Sequence, residues 1–345
     1  MALVSLAPII LYLIVLRTFD AFSMVRWRTM LGWTAWGMAS ALLMLALVRV
    51  AHASGNGWTA PWVSPCIEET FKVLPLLFFV WARRMVFSAE TQLYGEAVGG
   101  GFALVENVIY LSRFPGMDVA TALVRGLGTG LLHMGCTALA ATLVLVSLQS
   151  VSRSLGYSVG SWGRWLRGLV SVAMVPLLLL PSIGIHTLHN MADISPMTLM
   201  VGMVVVFFLA FHLVSRMGER GVVRWLDVSM NDDISLIAAL REGRLTETKA
   251  GEYLAQLRSR FDSLVFFDMC VYVHLYLELL IEAKGRVMLR DAGLEQVETP
   301  GQKADRKARL AELDVIGGRI PRMGLLLLRP LIHCADQDQW AMRKE

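Results

Sequence analysis

Two adjacent acids followed within one turn by a base, Glu68, Glu69 and Lys72, interrupt an apolar stretch that runs from residue 62 to 82. A charged side chain near the middle of a membrane-spanning helix costs about 2.5–3.5 kcal/mol on insertion scales, so acids in such a place are functional candidates by default. Further polar residues break further apolar stretches: Glu106 and Asn107 in 95–112, Arg125 and His133 in 119–148, and His186, His189 and Asn190 at the end of 168–189. Three glutamates, Glu68, Glu69 and Glu106, are thus read as intramembrane. Positions four apart share a helix face, which pairs Glu68 with Lys72, Glu106 with Tyr110, His133 with Thr137 and His186 with Asn190.

The chemistry open to this set is general-base hydrolysis. A Glu whose basicity is set by its apolar surroundings or by Lys72 activates a water, and a neutral His with an Asn amide holds the water or stabilises a developing oxyanion. Glu68 is favoured over Glu69 as the base because Lys72 stands at i+4 from it. The same residue types also suit a zinc site, but no H-E-x-x-H is present, so no metal is expected; one recruited without that motif would fall to Glu106, His133 and His186. There is no G-x-S-x-G elbow or Walker A loop. The glycines at 99 to 101 and at 126, 128 and 130 read as close helix packing. In the C-terminal part, His274, Glu278 and Glu282 share a face at metal-like spacing, and a solvated face or a domain contact is the preferred reading.

These residues need a membrane bundle to hold them. The chain is 55% hydrophobic and 17% charged over 345 residues, far too apolar for a soluble domain of that size. A span takes roughly 20 apolar residues, and candidates fall at 2–16, 30–51, 62–82, 95–112, 119–148, 168–189 and 197–215, about seven in all. The first has no basic region before it and no small-residue cleavage site, so it reads as a retained span. Arg17, Arg26, Arg28, Arg83, Arg84, Arg153, Arg164, Arg167, Arg216, Arg220 and Arg224 fall in alternate connections, which places those inside, the N-terminus outside and the C-terminus inside. With a rise of about 1.5 Å per residue, Glu68 then lies roughly 10 Å below the outer end of its span and Glu106 at a similar depth. Trp58, Trp62, Trp162 and Trp165 read as interfacial residues.

The net charge of +4 follows the positive-inside pattern and gives no argument for nucleic acid. Cys66, Cys136, Cys270 and Cys334 have no paired spacing and are expected as free thiols. Residues 1–216 form the expected bundle and 217–345 a cytoplasmic helical domain, with an amphipathic helix over 265–281 and a polar linker near 298–309. That domain is the part available to a partner protein of unknown identity.

Taken in order, E-E-x-x-K (Glu68, Glu69, Lys72), F-x-x-x-E-N-x-x-Y (Phe102 to Tyr110), Arg125 with His133 and Thr137, and H-x-x-x-N (His186, Asn190) resemble the PrsW family of intramembrane proteases. That family is related to the CAAX-prenyl endopeptidase and bacteriocin-processing superfamily, and the resemblance covers roughly residues 60 to 215. It implies an all-helical enzyme of the bacterial plasma membrane that cuts a single-span substrate, such as an anti-sigma factor, near its extracytoplasmic face. It also implies that a Glu-activated water does the cutting with His and Asn assistance, although family names of the metalloprotease type keep a zinc-dependent variant open. Two rivals remain: a proton-coupled transporter, which would spread its polar groups through both leaflets, and a noncatalytic binder of membrane segments.

Overall fold

A computed structural model describes the chain except for residues 19–24, 54–59, 83, 86, 155–160, 243, 245–247, 259, 295–296, 330, 333–335 and 344–345. Within its helices, the side chains at 149–154, 161–172, 211, 214–215, 217–219, 221–232, 249, 291 and 336 are also outside the description. Arg83, Trp58 and Cys334, and the side chains of Arg153, Arg164, Arg167, Arg224, Trp162 and Trp165, therefore lie outside the described residues.

Among the described residues every regular element is a helix: α1 (Ala2–Thr18), α2 (Trp27–Ala53), α3 (Val63–Trp81), α4 (Ser88–Arg113), α5 (Val119–Leu123), α6 (Gly130–Ser154), α7 (Ser161–Met191), α8 (Pro196–Arg241), α9 (Lys249–Arg258), α10 (Ser263–Asp291), α11 (Pro300–Arg319), α12 (Arg322–Leu327) and α13 (Asp336–Arg343). The chain forms two compact units, Met1–Glu219 and Arg220–Glu345, with the boundary inside α8.

In the first unit α4 is the central element, packed against α1, α2 and α6. Its glycines explain why. A β-carbon on Gly99 would stand 2.3 Å from the carbonyl oxygen of His133 and 2.5 Å from Met134 Cα, and one on Gly101 would stand 2.0 Å from the carbonyl oxygen of Thr34. The backbones of α4, α6 and α2 thus touch with no side chain between them, the close approach that small residues allow between membrane helices. Around these seams Leu13, Met30, Trp33, Leu76, Val98 and Met134 fill the apolar core.

Between α5 and α6 the helix widens into a π-helical turn, Val124–Thr129. Such turns carry an extra residue in the helical repeat and recur at functional sites. It starts from a capped end: Asp118 accepts from the Thr121 N–H at 2.8 Å and from its hydroxyl at 2.9 Å. These bonds, the backbone one foremost, hold the Asp118 carboxyl below its ordinary range. A plain helix through this stretch is what the apolar run predicts; its excess length and the closely spaced Gly126, Gly128 and Gly130 are the traces the π turn leaves in the sequence.

Among the described residues three segments are long and apolar enough to cross a membrane, Trp27–Ala53, Val119–Leu148 and Ser263–Arg290, while Ala2–Thr18 and Pro196–Ala210 are apolar but shorter. Helices α3 and α4 miss that standard because of what they carry: Glu68, Glu69 and Lys72 in one, Glu90, Glu96 and Glu106 in the other.

In the second unit α10 packs against α9, α11 and α13. Tyr276, Leu277 and Leu280 of α10 are buried there, and its Lys284, fully buried, bonds Asp233 at 2.9 Å. By length and apolarity α10 also qualifies as a span, in place of the amphipathic helix expected over 265–281. His274, Glu278 and Glu282 are tied into ion pairs rather than aimed at a common point: Glu278 with His274 at 3.3 Å and Arg241 at 2.5 Å, Glu282 with Arg309 at 2.7 Å. The polar linker expected near 298–309 is instead the start of α11. Its signal is a capping box, Thr299 with Gln302, followed by proline in the first turn; the high charge there belongs to an exposed helix face.

Replacing Gly99 with Ala forces α4 and α6 apart and should cost about 1–3 kcal/mol, the range for overpacking. Gly184→Ala, where an added carbon meets nothing within 4 Å, should leave thermal unfolding of the detergent-solubilised protein close to wild type. Equal midpoints for the two variants would contradict the seam.

Candidate active site

Helix α3 contributes Glu68, Glu69 and Lys72, α4 contributes Phe102, Glu106 and Asn107, the π turn and α6 contribute Arg125 and His133, and α7 contributes His186. Lys72 is at the centre. Its side chain is fully buried, and its Nζ lies 2.8 Å from Glu69 Oε1, 2.8 Å from His133 Nδ1 and 4.0 Å from the centre of the Phe102 ring. A buried ammonium survives only when its charge and donors are matched; here a carboxylate, an imidazole nitrogen and a ring face share that task.

The contacts run on in both directions. His133 Nε2 meets Glu106 Oε2 at 2.7 Å. Glu106 Oε1 pairs with Arg125 at 3.1 Å, and Arg125 Nε donates to Asn107 Oδ1 at 3.1 Å with its guanidinium 4.0 Å from the centre of the Tyr110 ring. On the other side Glu69 Oε1 also meets His186 Nδ1 at 2.9 Å, and the opposite nitrogen, Nε2, lies 3.8 Å from Glu68 Oε2. Glu68 Oε1 accepts from Ser64 at 2.7 Å. The rings of His133 and His186 meet edge to face at 4.9 Å.

Donor chemistry fixes which proton sits where. An ammonium only donates and a carboxylate only accepts. His133 therefore accepts from Lys72 at Nδ1 and donates to Glu106 from Nε2. His186 donates to Glu69 from Nδ1, which leaves its Nε2 lone pair, in the neutral ring, facing Glu68. The two acids of the pair differ in access: Glu69 is 0% exposed and Glu68 14%. Both oxygens of Glu106 are engaged.

Of the residues expected from sequence, Glu68, Glu69, Lys72, Glu106, Asn107, Arg125, His133 and His186 come together. Tyr110 flanks Arg125 and, among the described residues, bonds no carboxylate; its expected facing of Glu106 is taken over by the guanidinium. Thr137 turns back on its own helix to donate to the His133 carbonyl at 2.9 Å. Asn190 is exposed and outside the cluster. Lys72 is closer to Glu69 than to Glu68, 2.8 Å against 3.9 Å, so the i+4 relation does not select its partner. Ser64 was not expected, although it stands one turn before Glu68. Glu96, like Glu90, is a further acid buried in the bundle. It accepts from Gln92 at 3.0 Å through Oε1, and its Oε2 has no partner among the described residues; its position within 95–112 is the signal that should have added it to the three.

Glu68, His133 and His186 bring one possible ligand atom each to within 4.8 Å of one another. A Glu with two imidazoles is a zinc-type donor set, and beside it Glu69 Oε2 is buried with no hydrogen-bond partner among the described residues. In kind and proximity these residues fit a zinc ion. The trio differs from the expected Glu106, His133 and His186 because Glu106 is drawn to the other nitrogen of His133 by Arg125.

The family model described as PrsW family intramembrane metalloprotease matches residues 25–214, more than half of the chain. None of the curated proteins and none of the solved structures gives a significant match.

Removing one member of the central ion pair strands the other in the bundle, so Glu69→Gln and Lys72→Met should each destabilise the protein by about 3–5 kcal/mol. The double variant, which strands neither charge, should recover much of that loss in thermal unfolding of the solubilised chain. A double variant less stable than either single one would refute the pairing.

Proposed function

Since this chain belongs to the PrsW family of intramembrane metalloproteases, we propose that its peptide-hydrolase activity is carried by Glu68 as the general base. The observation that carries this reading is the pairing of two unequal acids: Glu69 is sealed and spent on Lys72 and His186, while Glu68 retains partial exposure and an oxygen facing the free nitrogen of His186. A water donating one proton toward Glu68 Oε2 and the other toward His186 Nε2 turns its own lone pair outward. As that oxygen bonds the scissile carbonyl carbon, Glu68 takes one proton, and it later returns the proton to the amine nitrogen as the peptide bond breaks. The amide of Asn190, one helical turn beyond His186 and exposed, is the donor we assign to the oxyanion. Lys72, His133, Glu106 and Arg125 hold this arrangement and do not touch the reacting atoms.

A second reading is favoured by the convergence of Glu68, His133 and His186. Held by these three, zinc would supply Lewis-acid activation of water.

We assign the bundle about seven spans with the N-terminus outside, supported by the arginines of alternate connections, and place the second unit in the cytoplasm. In that orientation the cluster falls in the outer half of the bilayer. This supports a bacterial plasma-membrane enzyme that cuts a single-span, anti-sigma-factor-like substrate near the extracytoplasmic face.

In proteoliposomes holding a single-span substrate, Glu68→Gln should lower the cleavage rate by about 10²–10⁴-fold, the scale of a lost general base, and Asn190→Ala should lower it less. Wild-type cleavage should persist in a strong chelator. Loss in chelator with recovery on added zinc would establish the metal-dependent reading instead, and full activity of Glu68→Gln would exclude Glu68 as the base.

A further inference from the structure

Two of the three donors that could take a metal, His133 and Glu68, already face a cation, and the third, His186, bonds that cation's carboxylate partner Glu69. Lys72 Nζ lies 2.8 Å from His133 Nδ1 and 3.9 Å from Glu68 Oε2. The remaining nitrogen of His133 is held by Glu106 at 2.7 Å, so neither nitrogen of that ring is free to ligate while both neighbours stay. Lys72 is fastened where it is, by Glu69 at 2.8 Å and over the Phe102 ring at 4.0 Å.

The charge balance points the same way. With both imidazoles neutral, the three carboxylates Glu68, Glu69 and Glu106 face the two cations Lys72 and Arg125, leaving one negative charge. A divalent ion added beside Lys72 inverts that balance. An ion that replaces Lys72 cancels it. In an apolar bundle, where like charges repel far more strongly than in water, the second case is much the better one.

We propose that Lys72 is the resident cation of this centre and competes directly with divalent metal for Glu68, His133 and His186. The lysine-in and metal-in arrangements exclude one another, and metal entry requires the ammonium to leave. This rests on reading the cluster as the hydrolytic centre only for its location, since it concerns who occupies the centre and not whether a substrate is cut.

The test is equilibrium dialysis of the full-length, metal-stripped protein in lipid nanodiscs against zinc alone. Lys72→Met should bind one zinc per chain at least about tenfold more tightly than wild type, a difference of about 1.4 kcal/mol, and Lys72→Arg, which keeps the charge, should bind like wild type. The combination Lys72→Met with Glu69→Gln removes the ion pair as a whole and, with one carboxylate fewer to balance the metal, should show a smaller gain in the same direction, which keeps the test sound if the single variant does not fold. Adding His186→Ala should abolish the gain. Wild type binding zinc as tightly as both Lys72→Met forms would overturn the proposal, as would a gain that survives His186→Ala or no gain in any variant. Cleavage is scored separately, so an inactive wild type would count against the hydrolase reading and leave the zinc result interpretable.

Discussion

A single buried ammonium organises this bundle. The charge of Lys72 cannot be left alone in apolar surroundings, and its partners come from three different helices: Glu69 on its own α3, Phe102 on α4 and His133 on α6. Satisfying it therefore fixes the rotation of each of those helices about its axis. The consequence spreads outward because each partner has a second duty. Glu69 orients His186 and so α7; His133 orients Glu106, which in turn engages Arg125 in the π turn.

The backbone is shaped to let that happen. His133 can reach both Lys72 and Glu106 only because α6 lies against α4 at Gly99, where the His133 carbonyl occupies the space of a side chain. One turn earlier the π turn adds a residue to the helix, and in the resulting register the Asn107 amide bonds the Arg125 carbonyl at 3.3 Å while the Arg125 side chain bonds back to Asn107 and pairs with Glu106. Packing and chemistry are thus solved by the same few positions, with glycine supplying nearness and the polar residues supplying specificity.

Much of this was legible in the sequence, for a physical reason. Acids, histidines and arginine are so costly in apolar runs that their presence is itself a signal, and spacing of four puts them on faces. What spacing cannot supply is competition between partners. Lys72 stands within one turn of both acids, and only the position of α7 shows that Glu69 is the one enclosed. The sequence names Glu106 as the companion of the two histidines at a metal, but Arg125 engages Glu106 and it is Glu68 that converges with them. Glu96 escaped notice because it sits near the start of its apolar run, where a charge normally reads as a boundary. On charge alone the stretch 298–309 reads as a linker, although Thr299, Pro300 and Gln302 spell a helix start. The π turn has no residue code beyond its glycines and the excess length of the run.

The seams at Gly99 and Gly101 also bear on motion. Where two side chains meet, helices can loosen by rotamer changes, a fast and local way to make room. Where backbone meets backbone there is nothing to rotate, and the contact either holds or separates as a whole along its length. Seams of this kind tie α2, α4 and α6 together. Any sideways yielding of the bundle belongs to the interfaces lined by ordinary side chains, among them those of α3 and α7, where the accessible acid and the imidazole facing it reside.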